Sequence, residues 1–230
     1  MTLYETIFAR RSVRSYDMTT LSDGVLAEIQ LFINNVKQLD GQHARLEIVA
    51  ADRVNNNIAP HYVLAYCKAD DIAYINVGYV LQNVDLYLQS SGYGSLWLGM
   101  AKPNAADKDN FCIMLAFGKT NLPLRRGVHE FKRLPIGEIS DTDSNPAQAV
   151  RLSPSAMNSQ PWKLDFAENS ATIRYFGRGV SGIMLKKKLS KIDLGIATRH
   201  IEIALQNEGK TIKTIIPVVG RKDFSVKISY

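Results

Sequence analysis

Apolar residues in the first part of the chain recur at helical spacing, and short, almost wholly apolar runs separate the helical patterns. Thr2 and Glu5 form a capping-box pattern, which predicts a helix that begins there and runs toward Arg10. Periodicity predicts two further helices, over residues 22–36 with Ser22 as the N-cap and over residues 72–90. The apolar runs predict strands over residues 46–50, 61–67 and 111–117. The segment 92–100 is assigned no helix or strand.

The second part of the chain repeats this scheme in shortened form. Helices are predicted over residues 145–152 and 190–206, and Gly209 closes the second of them. Strands are predicted over residues 162–166, 171–176, 214–220 and 224–230. This mixture of helices and strands predicts an α+β fold.

A fixed offset of 117 residues relates the two long helices. Their matching apolar positions are Val77, Val80, Val84 and Leu88 in the first and Leu194, Ala197, Ile201 and Leu205 in the second. The same offset pairs Gly78, Gln89 and Gly92 with Gly195, Gln206 and Gly209. Two core helices can share an apolar stripe by chance, but the coincident glutamine and glycines favour an internal repeat.

The repeat predicts two related halves, residues 1–140 and 141–230, each with a small sheet and helices. Neither half is large enough to bury much core alone. We therefore expect the halves to pack against each other through the long central helices as a pseudo-dimer.

Composition narrows the class of protein. Of the 230 residues, 46% are hydrophobic and 22% are charged, which is typical of soluble globular proteins. No apolar run is long enough to cross a bilayer, and the N-terminus lacks the pattern of a secretory signal. Cys67 and Cys112 both lie in apolar runs, which indicates buried thiols rather than a disulfide or a metal site. We expect a cytoplasmic protein without a membrane partner.

The net charge of +6 allows nucleic acid, anionic lipid or a phosphorylated small molecule as a partner. The densest basic run is Lys186, Lys187 and Lys188 with Lys191, just before a predicted helix. A solvated helix start is the favoured interpretation, because no aromatic residues interleave with these lysines to stack on bases. No nucleic-acid partner is expected.

Two polar segments are candidates for chemistry. In the first, Arg10, Arg11, Ser12 and Arg14 end a predicted helix, where guanidinium forks and a hydroxyl can bind a phosphate. Cations that suit the helix dipole explain this segment equally well. The second segment, residues 153–162, has the sequence SPSAMNSQPW, with two prolines that restrict the backbone. Its amides can read the edge of a heterocycle; a capped loop between a helix and a strand is the alternative, but the segment is far richer in hydrogen-bonding groups than such a connection needs.

Together these segments resemble the nitroreductase family of FMN-dependent oxidoreductases. The residues that carry the resemblance are the Arg-Arg-Ser-x-Arg and Pro-Ser-x-x-Asn-x-Gln-Pro-Trp patterns, with support from residues 82–83, 92–99, 117–118 and 131–135. The resemblance implies a nitroreductase-like fold and cofactor contacts at Arg10, Arg11, Ser12, Arg14, Leu98, Gly99, Lys132, Arg133, Pro154, Ser155, Ala156 and Asn158. The basic residues would hold the phosphate and ribityl end, with Arg14 near flavin N1. The backbone of 98–99 would approach flavin N5, and residues 154–158 would wall the isoalloxazine.

One departure from the ordinary family is informative. There both motifs lie within one subunit a few dozen residues apart, whereas here about half the chain separates them. This arrangement is similar to the single-chain, pseudo-dimeric branch of the family, and it implies one FMN per chain. The protein would then be a monomer or a weak homo-oligomer.

The resemblance implies that hydride passes from NADH or NADPH through the flavin to a nitroaromatic, quinone or similar small-molecule acceptor. No acid or base side chain is identified as catalytic. A non-catalytic FMN-binding or carrier protein of the same fold is the alternative. The four histidines show no metal-ligand spacing, and no Rossmann or P-loop motif is present. A nicotinamide would therefore bind only transiently over the flavin.

Overall fold

A computed structural model describes residues 1–104, 109–178, 185, 188–221 and 223–230. The first half contains helices α1 (Leu3–Ile7), α2 (Asp23–Asn34) and α3 (Asp71–Ser90). Its strands are β1 (Arg45–Ala50), β2 (His61–Tyr66), β3 (Gly94–Leu98) and β4 (Phe111–Gly118). The second half contains helices α4 (Asn145–Leu152) and α5 (Leu189–Asn207). Its strands are β5 (Trp162–Ala167), β6 (Ser170–Tyr175), β7 (Thr214–Val219) and β8 (Phe224–Ser229).

The two halves have the same topology. Each forms a four-stranded antiparallel sheet, in the order β1-β2-β4-β3 in the first half and β5-β6-β8-β7 in the second. In each half the long helix connects the second strand to the third. One continuous apolar core contains buried residues from both sheets and both long helices. The α+β fold with two related halves is therefore confirmed, while the exact boundary at residue 140 stays a prediction.

Helices α3 and α5 make the most extensive contact in the molecule, and two glycines set their separation. A Cβ on Gly78 would lie 2.0 Å from the carbonyl oxygen of Ile192, and a Cβ on Gly195 would lie 1.9 Å from that of Ile75. Gly78 and Gly195 are 117 residues apart, and so are Ile75 and Ile192. The repeat therefore relates the two contacts, and each contact is the equivalent of the other. Such reciprocity is the signature of a twofold interface.

The ends of the long helices repeat as well. Gly92 and Gly209 follow the C-caps of α3 and α5 with φ of 88° and 79°. This left-handed backbone at the end of a helix favours glycine, because other residues carry a Cβ penalty there. The coincident glycines of the sequence repeat thus have a structural reason in both halves.

Three sequence predictions need correction. Helix α1 has the predicted capping box but ends at Ile7 rather than continuing toward Arg10, so Arg10 lies in the chain that leaves the helix. Ser22 occupies the N-cap position of α2, yet its side chain makes no capping hydrogen bond, and this helix ends at Asn34. Residues 94–98 form the edge strand β3, in a segment for which the sequence predicts neither a helix nor a strand. Lys186 and Lys187 of the basic run lie outside the described residues.

Two further findings concern membrane-spanning helices and the cysteines. The helices of the described residues include none with the length and apolar character needed to cross a membrane. Cys67 and Cys112 are both buried free thiols, as their apolar surroundings predict.

Candidate cofactor site

A buried carboxylate on α3 positions the first arginine. Asp85 is fully buried and accepts hydrogen bonds from Arg10 Nε at 2.9 Å and from Gln82 Nε2 and Gln89 Nε2 at 3.0 Å each. Arg10 and Gln82 donate to Oδ2, whereas Gln89 and the hydroxyl of Ser95, on β3, donate to Oδ1. Because a buried charge needs such partners, the guanidinium of Arg10 is held in one place although only 1% of the residue is exposed.

The next residues are fixed through their backbone. Gln89 Oε1 accepts the N–H of Arg11 at 2.9 Å, while the Arg11 side chain lies 3.3 Å from Glu130 and is partly exposed. Ser12 forms a bridge with Ser95, so β3 guides the chain after the first arginines. Arg14 is exposed and has no hydrogen bond or ion pair among the described residues.

Two later arginines come close to Arg10. Arg125 donates from Nη1 to the Arg10 carbonyl, and its guanidinium lies 4.3 Å from the ring centre of Phe131. The guanidinium of Arg133 lies 5.7 Å from the centre of the same ring. Burial, together with the charges of Arg10, Arg125 and Arg151, lowers the pKa of Arg133 to about 9. Burial and the neighbouring arginines likewise lower the pKa of Arg125.

These arginines form a cation cluster with more positive than negative charge. Arg10 and Arg11 have acidic partners in Asp85 and Glu130, whereas the guanidinium groups of Arg125 and Arg133 donate to neutral oxygens. Within the described part of the chain, buried Arg10 Nη2, Arg11 Nε and Arg133 Nε have no hydrogen-bond partner. A dianionic phosphate would supply both the missing charge and the missing acceptors. The residues present therefore fit the phosphate end of FMN.

The second-half motif reaches this cluster through Asn158. Its Oδ1 accepts from Arg133 Nη1 at 2.7 Å, and its Nδ2 donates to the carbonyl of Lys132 at 2.9 Å. The Asn158 amide thus binds the first-half residues directly, and its predicted contact with the isoalloxazine stays a prediction. Lys132 itself is exposed, so its ammonium group is accessible to a ligand.

The loop over residues 153–160 holds an unusual backbone. Met157, Asn158 and Gln160 have φ of 52°, 54° and 47°, a left-handed conformation that costs energy in residues other than glycine. Ser155 Oγ accepts the Gln160 N–H at 2.9 Å, and Gln160 Oε1 accepts the Leu134 N–H at 2.9 Å. The first bond braces the loop internally, and the second joins it to Leu134 of the first half.

The start of α5 lies beside the two remaining parts of the predicted site, the 153–160 loop and residue 99. The Ala156 N–H donates to Asp193 Oδ1 at 3.0 Å. Gly99, just after β3, lies beside Leu189 one turn earlier on α5, where a Cβ would make ordinary contact at 3.5 Å. Residues 98–99 and the 153–160 loop are thus anchored to the same two turns of α5.

Comparison with known proteins assigns the chain to a family. The family model described as "Putative TM nitroreductase" matches residues 2–205. The chain belongs to this nitroreductase family. No curated protein matches the chain.

One solved structure matches the whole chain, and two others match part of it. A protein titled a putative nitroreductase from Thermotoga maritima is 20% identical, with a TM-score of 0.73, and the match covers 100% of this chain and 94% of that one. A structure from Desulfovibrio desulfuricans, titled a putative nitroreductase in complex with FMN, is 19% identical over 63% of this chain and 98% of its own, with a TM-score of 0.49. A nitroreductase family protein from Clostridium difficile is 18% identical over 63% of this chain and 99% of its own, with a TM-score of 0.47. The full-length match shows that the whole chain adopts a nitroreductase-like fold.

Sequence reasoning missed several residues that shape the site of this nitroreductase-family chain. Asp85 and Asp193 are buried acids on the two long helices, and an acid within such an apolar-rich stretch is a signal that is visible in the sequence. Arg125 and Arg151 lie outside both motifs and enter the cluster only through tertiary contacts. His200 is a satisfied core histidine, whose Nδ1 donates to the Ala149 carbonyl at 2.9 Å.

A separate cleft of about 570 Å³ lies in the first half, lined in part by His43, Arg45, Tyr66 and Lys68. None of the predicted cofactor residues borders it. It is therefore not the candidate cofactor site.

Proposed function

We propose that the protein is an FMN-dependent oxidoreductase that transfers hydride from NADH or NADPH, by way of the flavin, to a nitroaromatic, quinone or similar acceptor. Membership of the nitroreductase family supports the reaction class. The observation that carries cofactor binding is the cation cluster, in which buried guanidinium nitrogens of Arg10, Arg11 and Arg133 have no partner within the described residues.

The chain's own residues would divide the work of binding. The cation cluster and Lys132 would hold the phosphate, and Asp85 would keep Arg10 in place for it. The 153–160 loop would wall the ring system, and residues 98–99 would approach it from the first half. When bound, FMN would supply the two-electron chemistry, and the protein would contribute orientation and electrostatics.

Arg14 has the most direct electrostatic role in this proposal. It is exposed and uncommitted among the described residues, so its guanidinium is free to reach a ligand. A cation beside the N1 and C2 carbonyl region would stabilise the negative charge of the reduced ring and raise its reduction potential. The variant Arg14→Gln should lower the potential of the bound flavin with a smaller effect on phosphate binding.

The test is reduction of the purified flavin-loaded protein by each nicotinamide in a stopped-flow instrument, followed by a panel of oxidants. We expect the flavin absorbance to bleach with NADH or NADPH and to return with a nitroaromatic or a quinone. Because the two substrates would use the same pocket in turn, steady-state rates should follow ping-pong kinetics.

Two outcomes contradict the proposal in different ways. A yellow protein that neither nicotinamide can reduce would be the non-catalytic carrier. A colourless protein that takes up no added FMN would remove both functions.

A further inference from the structure

The internal repeat extends into the loops that precede the two sheets. In the second half the Ala156 N–H donates to Asp193 Oδ1 at 3.0 Å, and in the first half the Leu39 N–H donates to Asn76 Oδ1 at 2.9 Å. Both members of these pairs differ by 117 residues. Asn158, with φ of 54°, likewise corresponds to a glycine at position 41 with φ of 70°. The same device therefore anchors each loop to its long helix, with an amide in one half and a carboxyl group in the other.

The first-half device is complete in itself. Asn76 Nδ2 donates to Gln38 Oε1 at 2.8 Å, which also accepts the Ala44 N–H at 2.8 Å. Gln38 Nε2 donates to the Ala44 carbonyl at 2.9 Å. All the polar atoms of this asparagine and glutamine that face the loop are satisfied by protein groups.

The second-half device is not complete. Position 155, which corresponds to Gln38, is a serine whose hydroxyl bonds Gln160 instead. Asp193 is only 3% exposed, and its Oδ2 has no hydrogen-bond partner among the described residues. An ionised carboxylate with one backbone donor would be poorly stabilised there, whereas a protonated one is tolerated.

Among the described residues, the surroundings of Asp193 offer no compensating charge. Lys191 on the same helix pairs with Asp71 at the start of α3, and the hydroxyl of Tyr79 from α3 is bonded further along α5. Strand β6 contributes the neutral Tyr175, and the buried face of β8 is apolar. The 153–160 loop contains no ionisable side chain, so none of these elements supplies a positive charge. Burial accordingly raises the pKa of Asp193 to about 8, and the Ala156 N–H only partly opposes this effect.

From this contrast we propose that Asp193 is a positioning residue for the cofactor loop, and that it holds Ala156 in the binding geometry only while its carboxyl group is protonated. The inference rests on the proposed function, because the loop is assigned to the flavin there. Loss of the proton leaves a buried charge that water must reach, and opening a path for water displaces the loop. FMN binding and proton binding to Asp193 are then linked, so each favours the other.

The variant Asp193→Asn separates the proton from the hydrogen bond. Its Oδ1 can still accept the Ala156 N–H, as Asn76 Oδ1 accepts the Leu39 N–H in the first half. At pH 7 it should bind FMN within about threefold of the wild type, whereas Asp193→Ala should bind about tenfold more weakly through loss of the bond. Between pH 7 and 9.5 the ratio of the wild-type Kd to the Asp193→Asn Kd should rise about tenfold or more, because a loss of charge at Arg133, whose pKa is about 9, would weaken both proteins alike. The phosphate of FMN stays dianionic over this range, because its second pKa is about 6.

Proton uptake distinguishes this role from a merely structural one. Calorimetry at pH 9 in buffers of different ionisation enthalpy should show that the wild type takes up about one proton more per FMN than Asp193→Asn does. Asp165→Asn, which removes an exposed acid from the same half, should behave as the wild type does. Equal pH profiles for the wild type and Asp193→Asn, or unchanged FMN affinity in Asp193→Ala, would overturn the inference and leave the proposed function standing. A wild type that binds no FMN at any pH would refute both.

Discussion

The two glycines at the helix crossing should be nearly intolerant of a methyl group. In Gly78→Ala the new Cβ would lie 2.0 Å from the Ile192 carbonyl oxygen, where ordinary contact begins at 3.4 Å. Because the obstacle is backbone rather than a flexible side chain, helices α3 and α5 must separate by about the difference, roughly 1.4 Å. We expect a loss of about 3 kcal/mol in the free energy of unfolding, since overpacking typically costs 1–3 kcal/mol and the longest helix interface opens as well.

The assay is urea unfolding followed by circular dichroism. For an m-value of about 2 kcal/mol per molar urea, that loss moves the midpoint down by about 1.5 M. Gly24→Ala in α2 is the matched control, because nothing lies within 4 Å of its Cβ position. That change should be neutral or stabilise by up to about 1 kcal/mol through the higher helix propensity of alanine.

The symmetry of the crossing adds a sharper test. Gly195→Ala should cost as much as Gly78→Ala, because its Cβ would lie 1.9 Å from the Ile75 carbonyl oxygen. The double variant should lose less than the sum of the two, since one separation of the helices relieves both clashes. A Gly78→Ala protein within about 0.5 kcal/mol of the wild type would refute the reasoning, and fully additive losses would refute the shared relief.

The remaining predictions concern the cofactor and the buried acid. Arg10→Ala should weaken FMN binding by about 1.5–3 kcal/mol, measured by flavin fluorescence, because a charged hydrogen bond is lost; Arg174→Ala, at an exposed ion pair, should leave it unchanged. Asn158→Ala should also weaken FMN, and unchanged affinity would show that the halves do not share a site. Reconstitution should give one FMN per chain, and a ratio near two would contradict the single site. Because burial raises the pKa of Asp193 from about 4 to about 8, the wild type should lose thermal stability relative to Asp193→Asn as pH rises through this window; parallel profiles would contradict the buried, protonated carboxyl.

The helices follow from the helical spacing of their apolar residues, and strands such as β2, which is buried throughout, follow from short apolar runs. Helix α4 was predicted to the residue, and the offset of 117 between Gly78 and Gly195 anticipated the crossing of the long helices. The glycines are informative because only the absence of a Cβ allows that close approach. The sequence does not predict β3, because it is a five-residue edge strand that begins at a glycine. Its pairing partner, β4, lies further along the chain.

The site was less visible, because its parts converge only in the folded chain. Motifs located Arg10 and Asn158, but no local pattern shows that Arg125 lies against the Arg10 carbonyl. The left-handed φ of Met157 is equally hidden, since side-chain and backbone bonds from elsewhere impose it. The buried acids of the long helices, Asp85 and Asp193 among them, are a signal that sequence reasoning overlooked, because a carboxyl group on a buried helix face needs a specific partner.

Conversion of a symmetric framework into an asymmetric site requires few changes. The two loops share their anchor to the long helix and their left-handed turn, yet in the first half Gln38 fills the loop with its own hydrogen bonds. In the second half the shorter Ser155 makes none of those bonds and instead accepts the Gln160 N–H, and Asp193 Oδ2 has no partner among the described residues. The arginines gather on the side of the second-half loop, through the contact of Arg133 with Asn158. A closed loop in one half and an incompletely bonded, cation-flanked loop in the other are what a chain with one cofactor site would be expected to have.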